Sequence, residues 1–266
     1  MNKINLKDIT FLFLIKVDSI ERLENILLSI SFINRYFDTN IKILEVTDHF
    51  PCILPKVLID NDNVDYTFEI DSDDVLFRTK YLNNMMQQTE TEYVAIWDTD
   101  IIIPYIQVVD SINLLRSKSA DFVYPYKGYF LNVPSILRKI FLSNKDIEFL
   151  IRNMNNMERI YGDNPVGGAF MCRLSTYKKV GLENEHYYGW GREDGDRYYR
   201  WQKSGFAIKR VDGVLFHLSH PRNINSRFVN NTERFNKLHL ANNQRIKTYN
   251  KLIIKEINNN GKSKQK

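Results

Sequence analysis

Trp97-Asp98-Thr99-Asp100 sets two carboxylates one residue apart, directly after the apolar run Tyr93-Val94-Ala95-Ile96 and directly before Ile101-Ile102-Ile103-Pro104. Carboxylates beside a core are costly unless positive charge sits on them. In an extended segment residues two apart share a face, so Asp98 and Asp100 are expected to act together while Thr99 turns away. Hard oxygen donors suit Mn²⁺ or Mg²⁺, ions that complete their shells with water and substrate phosphates. The pair therefore predicts a metal and diphosphate site. Asp-x-Asp alone is also a common turn sequence, so the reading depends on partners further along the chain.

Those partners come in three groups. Tyr188-Gly189-Trp190-Gly191-Arg192-Glu193-Asp194-Gly195-Asp196 is a loop with an aromatic between glycines, leading into acidic residues that open a helix ending near Ser204-Gly205. One carboxylate suffices to meet a helix dipole; Glu193, Asp194 and Asp196 beside Trp190 exceed that need. A carboxylate next to an aromatic platform can hold a sugar ring and take a proton from its hydroxyl. Gly167 and Gly168, just before the apolar Ala169-Phe170-Met171-Cys172, allow close approach of backbone or ligand. Finally, Phe216-His217-Leu218-Ser219-His220-Pro221-Arg222 supplies imidazoles, and nitrogen among oxygen donors favours Mn²⁺. Whether His217 or His220 would be the ligand stays open at this level.

The elements that must carry these groups are legible as periodicities. Ile9 to Ile15 is a continuous apolar run, the pattern of a strand covered on both faces. Asp18-Ser19-Ile20-Glu21 has capping-box spacing, and Ile20, Leu23, Ile26, Leu27 and Ile30 then recur at helical period. Ile41 to Val46 reads as a second strand with Asp48 just beyond it, Tyr66 to Ile70 as a third, Leu76 to Met86 as a helix, and Tyr93 to Ile96 as the strand that delivers the Asp pair. Strands alternating with helices predict a parallel sheet with helices on both faces, whose ligands lie outside the carboxyl ends of the strands. A nucleotide lying there would meet Asp48 through its base or ribose. Further on, 112–115 continues a helix, Phe122 to Tyr124 is a short strand, and 207–211 and 214–216 are strands. The basic, apolar Leu137 to Leu142 is expected as an amphipathic helix packed on the domain, with a membrane-surface helix as the other reading.

Composition sets the frame. With 266 residues, 43% hydrophobic and 26% charged, the chain can bury a large core as a single α/β domain, and the disordered and fibrous classes are excluded. The net charge of +5 permits an anionic partner, but no RNA-binding signature or internal repeat is present, so nucleic acid is not expected. Cys52 and Cys172 lie in no metal-ligand spacing and suggest no disulfide framework. The apolar run after the polar Met1 to Asp8 is too short to span a bilayer and has no cleavage site, so a cytoplasmic protein is expected. The basic 251–266 reads as a solvated end.

Taken in order, Phe77-Arg78-Thr79-Lys80-Tyr81-Leu82-Asn83, Trp97-Asp98-Thr99-Asp100, Gly167-Gly168 and Gly189-Trp190-Gly191-Arg192-Glu193-Asp194 resemble GT-A-fold glycosyltransferases. Specifically, they resemble family 2-like enzymes whose C-terminal half is similar to β-1,4-galactosyltransferases and chondroitin-polymerase-type enzymes. The likeness runs from about Ile9 to Arg222. It implies a GT-A, Rossmann-like α/β fold: a mostly parallel mixed sheet flanked by helices over 1–230, with 1–104 binding nucleotide and 105–230 serving acceptor and catalysis, and a helical, basic extension over 231–266. It also implies inverting transfer of a hexose or N-acetylhexosamine from a UDP-sugar to a glycan or glycolipid acceptor in surface polysaccharide or lipopolysaccharide synthesis.

In that likeness Asp98 and Asp100 fall in the acidic metal motif and His217 in the downstream histidine position, with Mn²⁺ or Mg²⁺ as cofactor. Asp194 matches the general base, Glu193 the neighbouring acidic residue that binds sugar, and Trp190 the aromatic of the acceptor site and donor pocket. Arg78, Asp48 and Gly168 complete the donor side. The sequence departs from the family in carrying Arg192 where galactosyltransferases commonly have glycine, Gly195 among the acidic residues, and Lys16-Val17-Asp18 after the first strand. Peripheral contact with the inner face of a membrane is a further expectation. Two other readings remain at this level: a nucleotidyltransferase using the same Asp pair, and a non-catalytic sugar- or nucleotide-binding module.

Overall fold

Ile4–Ile15 (β1) is buried at every position from Leu6 onward except Lys7 and Asp8, as an unbroken apolar run requires of a strand covered on both faces. The computed structural model describes residues 2–48, 52–58, 61–222 and 225; the extension expected over 231–266 lies outside them. After β1 come α1 (Ile20–Tyr36), β2 (Phe37–Thr47), α2 (Leu54–Val57), β3 (Val64–Ile70), α3 (Arg78–Gln87), β4 (Tyr93–Trp97), β5 (Ile101–Ile102) and α4 (Tyr105–Arg116). The second half contains β6 (Phe122–Tyr124), β7 (Gly128–Val133), α5 (Ser135–Asn144), α6 (Ile147–Arg152), β8 (Glu158–Arg159), β9 (Ala169–Arg173), α7 (Leu174–Lys179), α8 (Glu193–Lys203), β10 (Ile208–Arg210) and β11 (Gly213–Leu218).

Seven strands form the main sheet in the order β10-β6-β9-β4-β1-β2-β3. Every pairing is parallel except those of β9, which runs against both β4 and β6. This is the mostly parallel mixed sheet flanked by helices that was expected. A second sheet, β5-β11-β7-β8, was not expected, because β5 and β8 are two residues each, too short to show any period. It matters for the site: β5 begins directly after Asp100, and β11 carries His217 opposite Ile101.

Two points differ from the sequence reading. Helix α1 is capped by Ser19, whose hydroxyl accepts the Arg22 N–H at 3.3 Å, and not by a box starting at Asp18. The Asp18 carboxylate instead pairs with the Arg22 guanidinium at 3.0 Å. Residues 98–100 form a turn rather than an extended segment: Ile101 N–H donates to the Asp98 carbonyl at 3.2 Å, and Trp97 Nε1 donates to the Ile101 carbonyl at 3.1 Å. The two-residue alternation that would put both carboxylates on one face therefore does not apply.

Helix α5 packs through fully buried Phe141 into a cluster with Leu28, Phe32, Val133 and Phe216, leaving Ile136 and Ile140 exposed. Among the described residues no helix is long and apolar enough to cross a membrane.

Candidate active site

A cleft of about 480 Å³ opens where β1 and β4 end, and its lining includes Lys16, Arg78, Asp98 and Asp100, then Gly167, Gly168, Trp190, Glu193 and Asp194, and His217 and His220. Of the expected site residues only Asp48, which follows β2 and is exposed, is absent from this lining.

The two aspartates of the Asp-x-Asp turn have different partners. Asp98 Oδ1 accepts from Arg78 at 2.5 Å. Asp100 is buried and faces both imidazoles, with His220 Nε2 at 3.1 Å and His217 Nε2 at 3.7 Å from Oδ2. Among the described residues Asp100, His217 and His220 form the one cluster of three whose ligand atoms all lie within 4.8 Å of one another. Asp98 is outside it and His220 inside. His217 Nδ1 meets the Asn132 amide oxygen at 3.0 Å and His220 Nδ1 the Pro221 carbonyl at 2.8 Å. Both are acceptors, so each Nδ1 carries the hydrogen and each Nε2 turns a lone pair toward the Asp100 carboxylate. Three acceptors converging in this way suit a cation between them. Burial lowers the His217 pKa from its ordinary value despite Asp100, leaving the neutral ring that metal binding needs. Burial works against ionisation of Asp100; charge or a donated N–H on His217 and His220 holds its carboxyl well below the usual range, and with both Nε2 atoms unprotonated a bound cation takes over that part.

Another part of the lining is the start of α8. Trp201 stacks on Phe122 of β6 at 3.8 Å, and Arg200 ties the helix to the Val180 and Leu182 carbonyls while pairing with Asp196 at 2.9 Å. Asp196 is thus a buried structural partner, separate from its neighbours. Arg197, also buried, bridges Glu183 at 2.6 Å and the Asp194 carboxylate. Asp194 keeps about a third of its side chain open to the cleft. Arg192 precedes the helix at φ 71°, a left-handed backbone that glycine adopts without steric cost.

Helix α3 joins this part to the Asp-x-Asp turn. Arg78 holds Asp98, Thr79 donates to the Tyr187 carbonyl at 2.8 Å, and the Asn83 amide exchanges bonds with Glu183 at 3.0 and 2.9 Å. The Gly-Gly pair joins them again: Asp98 N–H donates to the Gly168 carbonyl at 2.8 Å, and a Cβ placed on Gly167 would sit 2.8 Å from Asp194 Oδ2. Gly168 adopts φ +81° against Phe130 and Leu215. We therefore expect Gly167→Ala to fold normally and to displace the Asp194 carboxylate. A misplacement of that order lowers kcat by about 100-fold, and steady-state kinetics beside a melting curve checks both statements.

Glu193 accepts the Gly191 N–H at 2.9 Å and is 5% exposed. Burial first, and the neighbouring Asp194 charge second, push its carboxyl up to about 8. The folded chain thus holds a proton there that the unfolded chain releases near the ordinary glutamate value, so stability falls as pH rises through that window. Glu193→Gln should gain on the wild type progressively from pH ~5 to ~8, by at most about 1.4 kcal/mol per pH unit. Parallel urea melts across that range would show a constant difference if Glu193 ionised normally.

Several contributors gave no signal that sequence spacing could reveal. Arg197, Glu183 and Asn132 act through contacts between distant segments, and Lys16, whose ammonium donates to the Asp73 carbonyl at 2.7 Å, follows β1 where the family pattern differs.

Comparison with known proteins places the second half of this cleft. A family model described as the N-terminal domain of galactosyltransferase matches residues 149–223, the stretch from α6 to just past Arg222. Among solved structures, the catalytic domain of Drosophila β-1,4-galactosyltransferase 7 in complex with xylobiose is 16% identical, covering 86% of this chain and 72% of its own, with a TM-score of 0.44. Glucosyl-3-phosphoglycerate synthase from Mycobacterium tuberculosis, solved with Mn²⁺, UDP and phosphoglyceric acid, is 15% identical, covering 80% and 71%, with a TM-score of 0.48. No curated protein sequence matches. The galactosyltransferase match thus lies across the Gly-Gly pair, the start of α8 and both histidines.

Proposed function

We propose that the protein transfers a hexose or N-acetylhexosamine from a UDP-sugar to a hydroxyl of a glycan or glycolipid acceptor, with inversion at the anomeric carbon and with a divalent cation, Mn²⁺ by its donor set, held by Asp100, His217 and His220. The observation that carries this reading is that the three-residue cluster lines the same cleft as Glu193 and Asp194. A nucleotidyltransferase built on the Asp pair would leave Glu193 and Asp194 without a task.

The chain's own groups divide the work. Asp194, open to the cleft and held through one oxygen by Arg197, takes the proton of the acceptor hydroxyl as that oxygen attacks the anomeric carbon from the face opposite the leaving diphosphate. Glu193, protonated at neutral pH, donates a hydrogen bond to a sugar oxygen, and Trp190, 39% exposed on the cleft wall, offers the ring face on which a sugar packs. Arg78 fixes Asp98 beside the diphosphate, and Lys16 adds positive charge there. A bound divalent ion supplies Lewis-acid stabilisation of the departing diphosphate. Surface polysaccharide or lipopolysaccharide is the acceptor class we assign.

The test is a thermal-shift panel of UDP-glucose, UDP-galactose, their N-acetyl forms and GDP-mannose, each with and without Mn²⁺. A ligand that binds only the folded state at 100 times its Kd stabilises by about 2.7 kcal/mol. We expect a Mn²⁺-dependent rise with a UDP-sugar that Asp100→Ala abolishes. Equal shifts in wild type and Asp100→Ala would sink the metal assignment, and no shift with any nucleotide would sink the donor.

A further inference from the structure

Helix α1 carries two polar residues on its buried side, Asn25 at 0% and Ser29 at 1% exposure, among Leu23, Ile26, Ile30 and Ile33. They are four apart and so share a face. Polar groups in such a place cost stability unless bonded, and an apolar side chain would serve packing at least as well.

What they bond is specific. Ser29 Oγ donates to the carbonyl of Thr99, the residue between the two aspartates, at 2.9 Å, and lies 3.4 Å from the Ile101 carbonyl. Asn25 Nδ2 donates to the carbonyl of Leu218, the residue after His217, at 3.2 Å. Leu218 N–H in turn donates to the Asp100 carbonyl at 2.8 Å. The backbones of the segments bearing Asp100 and the two histidines are thus tied to each other and to one helix, 70 and 193 residues away in sequence. Behind them stands Arg138 of α5, 4% exposed, whose Nε donates to Asn25 Oδ1 at 2.8 Å. A guanidinium only donates, so the Asn25 oxygen must face it and the amide nitrogen must face Leu218. Arg138 is itself held by the Glu21 carbonyl at 3.1 Å and the Glu24 carboxylate at 2.7 Å.

We propose that Asn25 and Ser29, with Arg138 behind them, are positioning residues that hold both cation-binding segments in register, so that Asp100, His217 and His220 form a prearranged site. The inference rests on the cation assignment made above. Residues one layer behind a metal site commonly alter its affinity 10- to 100-fold. A layer acting through backbone belongs at the lower end, about tenfold for each of Asn25→Leu and Ser29→Ala.

The experiment titrates Mn²⁺ alone, and Mn²⁺ with saturating UDP, into the full chain while the electron paramagnetic resonance signal of free Mn²⁺ is followed, alongside melting curves without and with metal. Both variants should bind Mn²⁺ roughly tenfold more weakly and show a smaller metal-induced rise in melting temperature; Asn25→Leu, which leaves Arg138 Nε and the Leu218 carbonyl without that partner, also melts lower without metal, and Ser29→Ala less so. A merely structural role would lower the melting temperature with and without metal in parallel and leave affinity unchanged, and that result overturns the proposal. Should Asn25→Leu fail to fold, Ser29→Ala carries the test. Asp100→Ala separates the layers: if it loses Mn²⁺ while Asn25→Leu and Ser29→Ala keep wild-type affinity, only the positioning role falls. If Asp100→Ala binds as the wild type does, the cation assignment itself falls.

Discussion

Asp194→Asn is expected to lose transfer by a factor of roughly 100 to 10,000, the range that a positioned base contributes, while binding the UDP-sugar as the wild type does. Asparagine is close in shape, and its amide oxygen can still accept from Arg197, so the start of α8 keeps its place. The buried Arg197 remains balanced by Glu183 at 2.6 Å, and the cation cluster is untouched. What the amide cannot do is accept a proton from the attacking hydroxyl. Initial rates with the donor selected by the thermal-shift panel, next to that panel repeated on the variant, separate chemistry from binding. Retention of more than about a tenth of wild-type kcat would remove Asp194 from the role of base, since general-base catalysis is worth at least 100-fold. Loss of donor-induced stabilisation would show that Asp194 serves donor binding instead.

The parts of this site that were legible in the sequence are those controlled by local pattern. Continuous apolar runs located β1 and β4 because a strand buried on both faces has little alternative composition. Acidic residues after a glycine-bounded aromatic located the start of α8 at Glu193, where the structure begins it. The divergence at Asp98 and Asp100 was not legible. It follows from a turn whose hydrogen bonds involve Trp97 and Gly168, and from Arg78, twenty residues earlier in the chain. Two-residue alternation holds only while the backbone stays extended. Nor could spacing show that Asp196 is spent on Arg200 while Asp194 stays open, because both follow the same glycine-rich loop and differ only in what α8 packs against. Asn25 and Ser29 left a faint trace, two polar residues inside a helical apolar stripe, but their targets lie on segments far along the chain. The second sheet escaped because its strands are short and paired across long separations.

The Glu183–Arg197–Asp194 chain bears the largest expected stability effect. The side chains of Arg197 and Glu183 are 3% and 1% exposed, and the guanidinium also lies over the Phe170 ring at 4.3 Å from its centroid. Arg197→Met keeps much of the volume and the contact with Phe170 but strands Glu183 without its cation and frees Asp194. Breaking a buried pair by removing one partner costs about 3–5 kcal/mol. In a chain of this size, at roughly 2–4 °C per kcal/mol, the melting temperature should fall by on the order of 10 °C. Glu183→Gln leaves Arg197 balanced by Asp194, and Tyr177, whose hydroxyl bonds Glu183, can still donate to the amide oxygen, so it should cost far less. The double variant Glu183→Gln/Arg197→Met buries no unpaired charge and should recover most of the loss of Arg197→Met, a non-additivity that neighbouring charges require. Additive losses in the double variant would mean that Arg197 stabilises through packing alone. Transfer should not recover with stability, because the double variant still lacks the guanidinium that holds Asp194 toward the cleft. A folded, donor-binding and slow enzyme is therefore the expected product of removing both charges.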